Sequence, residues 1–202
     1  MGEVRGLVVA TPTPFTDEDK IDFDYVVKHL VFVRERGADA VVPSGTNGEG
    51  VSMTMRERKE LFRVAVANSG GMAVVAGTGC ACLADTIELT KAAERLGADA
   101  ALVVPPFFFR NATTDGLVEY YSRVLGSTEL PIFLYNIPAF SGIEVTDELV
   151  ERLLSFGNLA GVKDSAGDPA RTRRYCDKFP HLSIFYGADH IMAAMQGSGA
   201  KG

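Results

Sequence analysis

The chain has 202 residues, 47% of them hydrophobic and 23% charged, enough to bury one sizeable core, so a single domain over 1–202 is expected. A net charge of −6 without any lysine or arginine block argues against nucleic acid or an anionic membrane as partner, and no apolar run approaches the ~20 residues of a membrane span. The N-terminus lacks the pattern of an export leader, and Cys80, Cys82 and Cys176 are odd in number and lack metal-type spacing, so a reduced cytoplasmic protein is expected.

Apolar, β-rich runs begin near Leu7, Ala40, Met72, Ala100, Pro131, Leu159 and Leu182, with amphipathic stretches between them. Phe23, Val26, Val27, Leu30 and Val31 fall on one helical face. Gly37 follows that helix and Gly97 a later one, within the related segments Arg-Gly-Ala-Asp-Ala40 and Leu-Gly-Ala-Asp-Ala100; both glycines suit a left-handed cap ahead of a strand. Thr54 and Glu57 read as a capping box opening a helix from Met55 to Ala67. Asp168-Pro169 places a side-chain acceptor at an N-cap and proline at the first helical position of a helix running toward Phe179.

Strand–helix pairs thus recur every ~30 residues, the length of βαβ units. The strands are nearly all apolar rather than alternating, as in a parallel sheet covered on both faces. Seven such units favour an α/β fold of the (β/α)8 TIM-barrel kind over a doubly wound sheet, whose nucleotide-binding glycine fingerprint is missing at Ala10-Thr-Pro-Thr-Pro14. Seven strands are visible, and Gly-Ala-Lys-Gly202 stands where an eighth would begin. The expectation is a barrel lacking strand eight and the helices after it, as in a fragment of a longer protein.

Three apolar runs end in polar groups, as a barrel active site requires. Leu159-Ala-Gly-Val-Lys-Asp-Ser165 ends in a single lysine, Lys163. An apolar surround favours the free amine, which can attack a carbonyl to form an imine; the same run also reads as a strand-end lysine reaching solvent. Pro131-Ile-Phe-Leu-Tyr-Asn-Ile-Pro138 ends in Tyr135 and Asn136. The Tyr135 phenol can carry a proton between a carbinolamine and a substrate hydroxyl, or it is a core aromatic with its hydroxyl satisfied. Gly45-Thr-Asn-Gly-Glu-Gly50 gathers a hydroxyl, an amide and several backbone N–H groups on one turn, suited to holding a carboxylate. It lacks the Gly-Lys-Ser/Thr ending of a phosphate-gripping loop. His29, His181 and His190 have no metal-ligand spacing.

Gly45-Thr-Asn-Gly-Glu49, Tyr135-Asn-Ile-Pro138 and Gly161-Val-Lys-Asp164, with Ala10-Thr-Pro-Thr-Pro-Phe15 and Gly77-Thr-Gly79, resemble the dihydrodipicolinate synthase/N-acetylneuraminate lyase superfamily in order and spacing. The resemblance covers essentially the whole chain. It implies a pyruvate-dependent class I aldolase or lyase that needs no metal or organic cofactor and works as a homo-oligomer, a dimer or tetramer. Carried over, Lys163 forms the Schiff base with pyruvate or another 2-oxo acid and Tyr135 relays protons. Thr46 and Asn47, with Gly45 in the same turn, hold the carboxylate; Asn47 stands for the usual second threonine.

Synthase members usually place an arginine after the Tyr-Asn-x-Pro motif, where this chain has Phe140, and a relay tyrosine after strand four, which Pro105-Pro-Phe-Phe-Phe109 does not supply. These departures resemble the 2-keto-3-deoxygluconate aldolase and sialic acid lyase branches. Asp189 then stands where a hydroxyl-binding acid belongs, though it also reads as a helix N-cap. The implied reaction is cleavage or formation of a 2-keto-3-deoxy sugar acid. The alternatives are N-acetylneuraminate lyase, 4-hydroxy-tetrahydrodipicolinate synthase, and a ligand-binding barrel without turnover.

Overall fold

The computed structural model describes residues 4–202. Seven strands, β1 (Val8–Ala10), β2 (Ala40–Val42), β3 (Ala73–Gly77), β4 (Ala100–Val103), β5 (Ile132–Asn136), β6 (Leu159–Asp164) and β7 (Ser183–Tyr186), form one sheet in the order of the chain. Every neighbouring pair is parallel. The connecting helices are α1 (Phe23–Glu35), α2 (Met55–Asn68), α3 (Leu83–Leu96), α4 (Thr114–Leu125), the single turn α5 (Pro138–Ser141), α6 (Asp147–Leu153) and α7 (Pro169–Lys178). All seven expected strands are present, and the fold is an α/β barrel architecture.

The helix ends follow local sequence. Thr54 and Glu57 form the reciprocal capping box that opens α2, and Asp168 accepts from the Ala170 N–H with Pro169 in the first turn of α7. Gly97 closes α3 at φ 88°, a left-handed conformation that costs glycine nothing and lets the chain turn directly into β4.

Two apolar layers differ in side-chain size. Between sheet and helices lie the largest fully buried side chains, among them Phe62, Leu89, Tyr121, Tyr175 and Phe179. Each such residue contributes roughly 1.5–3 kcal/mol by leaving water. The barrel interior is lined instead by smaller groups, Ala40, Val42, Val75, Ala100 and Leu102, with Phe133, Tyr135 and Phe185 on one side. Stability is concentrated outside the sheet, which leaves room inside it for a cavity.

The end of the chain refines the expected open seam. Lys201 donates its N–H to the Ile184 carbonyl of β7 (2.8 Å), and Tyr186 donates to the Gly202 carbonyl (3.0 Å). On the other side Gly6, just ahead of β1, donates to the Lys201 carbonyl (2.7 Å). Residues 201–202 therefore lie in the position of an eighth strand and bridge the β7 and β1 sides, so the two edges are not left wholly unpaired.

Candidate functional site

Strand alternation sorts the end of the β5–β6 ladder into two faces. Tyr135 pairs in register with Lys163, and Asn136 with Asp164. Tyr135 belongs to the barrel-interior layer, and the Lys163 Nζ stands over its ring, 4.5 Å from the centroid. Asn136 and Asp164 are fully buried and bonded to each other, Asn136 Nδ2 donating to Asp164 Oδ1 at 2.8 Å. Asp164 also accepts from the Thr172 hydroxyl of α7 (2.8 Å) and from the Ala166 N–H (3.1 Å). Asn136 in turn accepts from the Val145 N–H (3.0 Å). A buried hydrogen-bonded network thus stands behind the lysine–tyrosine pair and ties together the strand ends that carry it.

The glycine-rich turn after β2 reaches the same place. The Thr46 hydroxyl donates to the Tyr135 hydroxyl at 3.4 Å, a long contact joining residues 89 positions apart. Ser44 and Glu49 hold positive φ, 59° and 55°, so this turn is strained at two non-glycine positions.

A cavity of about 730 Å³ runs along the barrel interior and is lined by Thr46, Asn47, Phe140, Tyr135, Lys163, Ser165, Tyr186 and Asp189. It brings together every expected site residue except Gly45, which lines a smaller adjoining cavity of about 210 Å³ that shares Thr46, Tyr135 and Phe140. A larger recess, about 920 Å³, is a surface groove along α2 and α3 and contains none of these residues. Chemistry, not size, selects the barrel cavity.

Asp189 is exposed and opens a short 3-10 helix, Asp189–Met195, whose N-cap is Ala188 without a side-chain capping bond. The N-cap alternative for Asp189 is thereby corrected: Ala188 is the N-cap, and Asp189 is among the residues lining the cavity. Phe140 is 70% exposed at the cavity mouth, where no cationic side chain other than Lys163 lines the large cavity among the described residues. Phe108 and Phe109 of the loop after β4 point outward, 79% and 75% exposed.

Two features were missed in the sequence. The Ser165 Oγ is buried and has no hydrogen-bond partner, and its residue lines the cavity two positions beyond Lys163. Gly187 is the second: a Cβ there would overlap the Ser165 hydroxyl and come within 2.9 Å of the Lys163 Cε. A larger residue there would displace the Ser165 hydroxyl and crowd the lysine stem.

An amine beside a phenol, with a turn of hydroxyl and amide donors next to them, suits imine formation with a 2-oxo acid. The model of the dihydrodipicolinate synthetase family matches residues 3–202. A DapA-like lyase of Chloroflexus aurantiacus is 38% identical over the whole chain, and a 4-hydroxy-tetrahydrodipicolinate synthase of Alkaliphilus oremlandii is 34% identical over 98% of it. The chain spans 69% and 68% of those two proteins. Among solved structures, the pyruvate complex of dihydrodipicolinate synthase from Acinetobacter baumannii superposes with a TM-score of 0.93 at 32% identity, over 98% of this chain and 68% of that one. The 2-keto-3-deoxygluconate aldolase of Picrophilus torridus gives 0.92 at 26% identity, over 98% of this chain and 72% of that one. Fold, site chemistry and similarity agree: the chain belongs to the dihydrodipicolinate synthetase family of pyruvate-dependent Schiff-base lyases.

Proposed function

We propose that this aldolase cleaves or forms a 2-keto-3-deoxy sugar acid, yielding or consuming pyruvate and a hydroxyaldehyde. Lys163 attacks the 2-oxo carbon, water leaves from the carbinolamine, and the resulting iminium draws electrons from the carbon–carbon bond that breaks. Tyr135 carries the proton between the carbinolamine and the substrate hydroxyl. Thr46, Asn47 and the N–H groups following Gly45 hold the carboxylate.

The observation that carries the substrate assignment is Phe140 at the cavity mouth. A dicarboxylate substrate needs a cation for its second acid group, and here that group would meet an aromatic ring and Asp189. A polyhydroxy chain instead finds acceptors and donors in Asp189, Ser165 and Tyr186. The second reading is 4-hydroxy-tetrahydrodipicolinate synthase, supported by the name of the Alkaliphilus oremlandii relative. N-acetylneuraminate lyase is weaker, because among the described residues no group lining the cavity singles out an acetamido group. We infer further that the enzyme works in the cytoplasm as a homo-oligomer, on small molecules rather than nucleic acid or membrane, without a metal or organic cofactor.

Borohydride reduction in the presence of pyruvate should leave a covalent adduct on the peptide containing Lys163, and Lys163→Ala should abolish both adduct and turnover. Comparison of kcat/KM for condensation of pyruvate with glyceraldehyde, aspartate semialdehyde and N-acetylmannosamine should favour glyceraldehyde. Adduct on another lysine overturns the imine assignment; preference for aspartate semialdehyde returns the enzyme to the synthase activity.

A further inference from the structure

Arg58 lies in the first turns of α2 and is only 4% exposed. Among the described residues no carboxylate pairs with it. Its guanidinium is spent on four neutral acceptors: Nε donates to the Ser44 hydroxyl (2.8 Å), Nη1 to Cys80 Sγ (3.0 Å), and Nη2 to the carbonyls of Gly77 (2.6 Å) and Gly79 (3.3 Å). Burial holds the Cys80 thiol above its ordinary pKa range and outweighs the pull of the guanidinium, so the sulfur meets Arg58 as a neutral group. A buried cation without a counter-charge is costly and needs a structural or functional reason.

The acceptors show what the arginine joins. Ser44 ends the run from β2 in a left-handed conformation and immediately precedes Gly45 and Thr46. Gly77 and Gly79 lie at and just beyond the end of β3. Glycine is needed at 77 because a Cβ there would run into the Ser44 carbonyl, so the strained turn presses directly on β3. A planar fork with fixed donor directions suits such a junction, and a lysine's single ammonium does not reproduce it. Arg58 also lines the 210 Å³ cavity together with Thr46 and Tyr135.

We propose that Arg58 is a positioning residue: by clamping Ser44 to the end of β3 it holds the strained turn so that Thr46 faces Tyr135 and the 2-oxo acid carboxylate. It touches neither substrate nor reacting atoms. The inference rests on the reading of Lys163, Tyr135 and Thr46 given above, and it assigns the arginine to carboxylate binding rather than to bond making.

The test uses the full chain with Arg58→Met, Arg58→Lys and, as a packing control in the same helix, Phe62→Leu. Three quantities are measured: the melting temperature, the pyruvate concentration that half-saturates borohydride trapping at Lys163, and amide hydrogen exchange over residues 44–50. Half-saturation should rise roughly 10- to 100-fold in Arg58→Met, the scale of loss expected from a misplaced binding group, and less in Arg58→Lys. Trapping at saturating pyruvate should stay near the wild-type level, and exchange should quicken over 44–50 but not over β5 and β6. Phe62→Leu should lower the melting temperature with half-saturation unchanged. If Arg58→Met does not fold, the comparison of Arg58→Lys with Phe62→Leu decides. Unchanged half-saturation in the arginine variants, or an equal rise in Phe62→Leu at a matched melting temperature, overturns the proposal. Should wild-type protein show no trapping at Lys163, the catalytic reading fails separately; exchange over 44–50 still decides the clamp, and unchanged exchange in both arginine variants sinks it.

Discussion

The two walls of the cavity are built on opposite principles. The β5–β6 wall is regular: Tyr135 and Lys163 are register partners on a parallel ladder, backed by the Asn136–Asp164 network. The wall opposite is a turn, with Ser44 and Glu49 in left-handed conformations and a buried arginine gripping its first residue. The regular wall sets the distance between groups that exchange protons and form bonds, because a ladder leaves little freedom to its residues. The strained wall offers N–H, hydroxyl and amide groups at angles no strand provides. Strain of that kind persists only where surrounding contacts over-determine it. Damage to the first wall should therefore appear in turnover or global stability, and damage to the second in affinity for the 2-oxo acid.

The largest effect is expected on the regular wall. Tyr135→Phe removes one hydroxyl and should lower kcat by roughly 10²–10⁴-fold with little change in pyruvate binding. Steady-state kinetics alongside pyruvate titration separate the two, and an undiminished kcat would mean that another group moves the proton. Behind the same wall, Asp164→Ala strands the Asn136 amide, the Thr172 hydroxyl and the Ala166 N–H in a buried site. A loss of about 3 kcal/mol in stability should follow, visible as a fall of roughly 6–12 °C in melting temperature by circular dichroism. A melt within a degree of wild type would show that the network is not what fixes the strand ends. The smallest effect belongs to the turn. Thr46→Val keeps the shape but deletes a donor, which should weaken pyruvate binding by up to about tenfold while leaving the melt in place. Isothermal titration with pyruvate reads this directly, and a variant that instead loses turnover at unchanged affinity would move Thr46 from the binding wall to the relay.

The sequence by itself determined whatever depends on short spans of chain. Capping pairs such as Thr54 with Glu57, the proline after Asp168 and the glycine at 97 act within one helical turn, so the helix ends were legible. Apolar runs marked all seven strands, and polar residues at their ends marked Lys163, Tyr135 and the turn at 45–50. Tertiary structure decided the rest, because the partners are distant along the chain and nothing in the spacing names them. Asn136 finds Asp164 28 residues on, and Arg58 reaches back 14 residues to Ser44 and forward to Gly77 and Gly79. In the sequence Arg58 is one more charge on an amphipathic helix; only its burial shows that it faces inward. Asp189 looked equally suited to capping, and it was the path of the backbone that made Ala188 the N-cap and set Asp189 in the cavity lining. The seam between β7 and β1 was decided in the same way: Lys201 and Gly202 bond to strands at opposite ends of the chain, a pairing that exists only once the sheet has curled far enough to bring Ile184 and Gly6 within reach of one peptide segment.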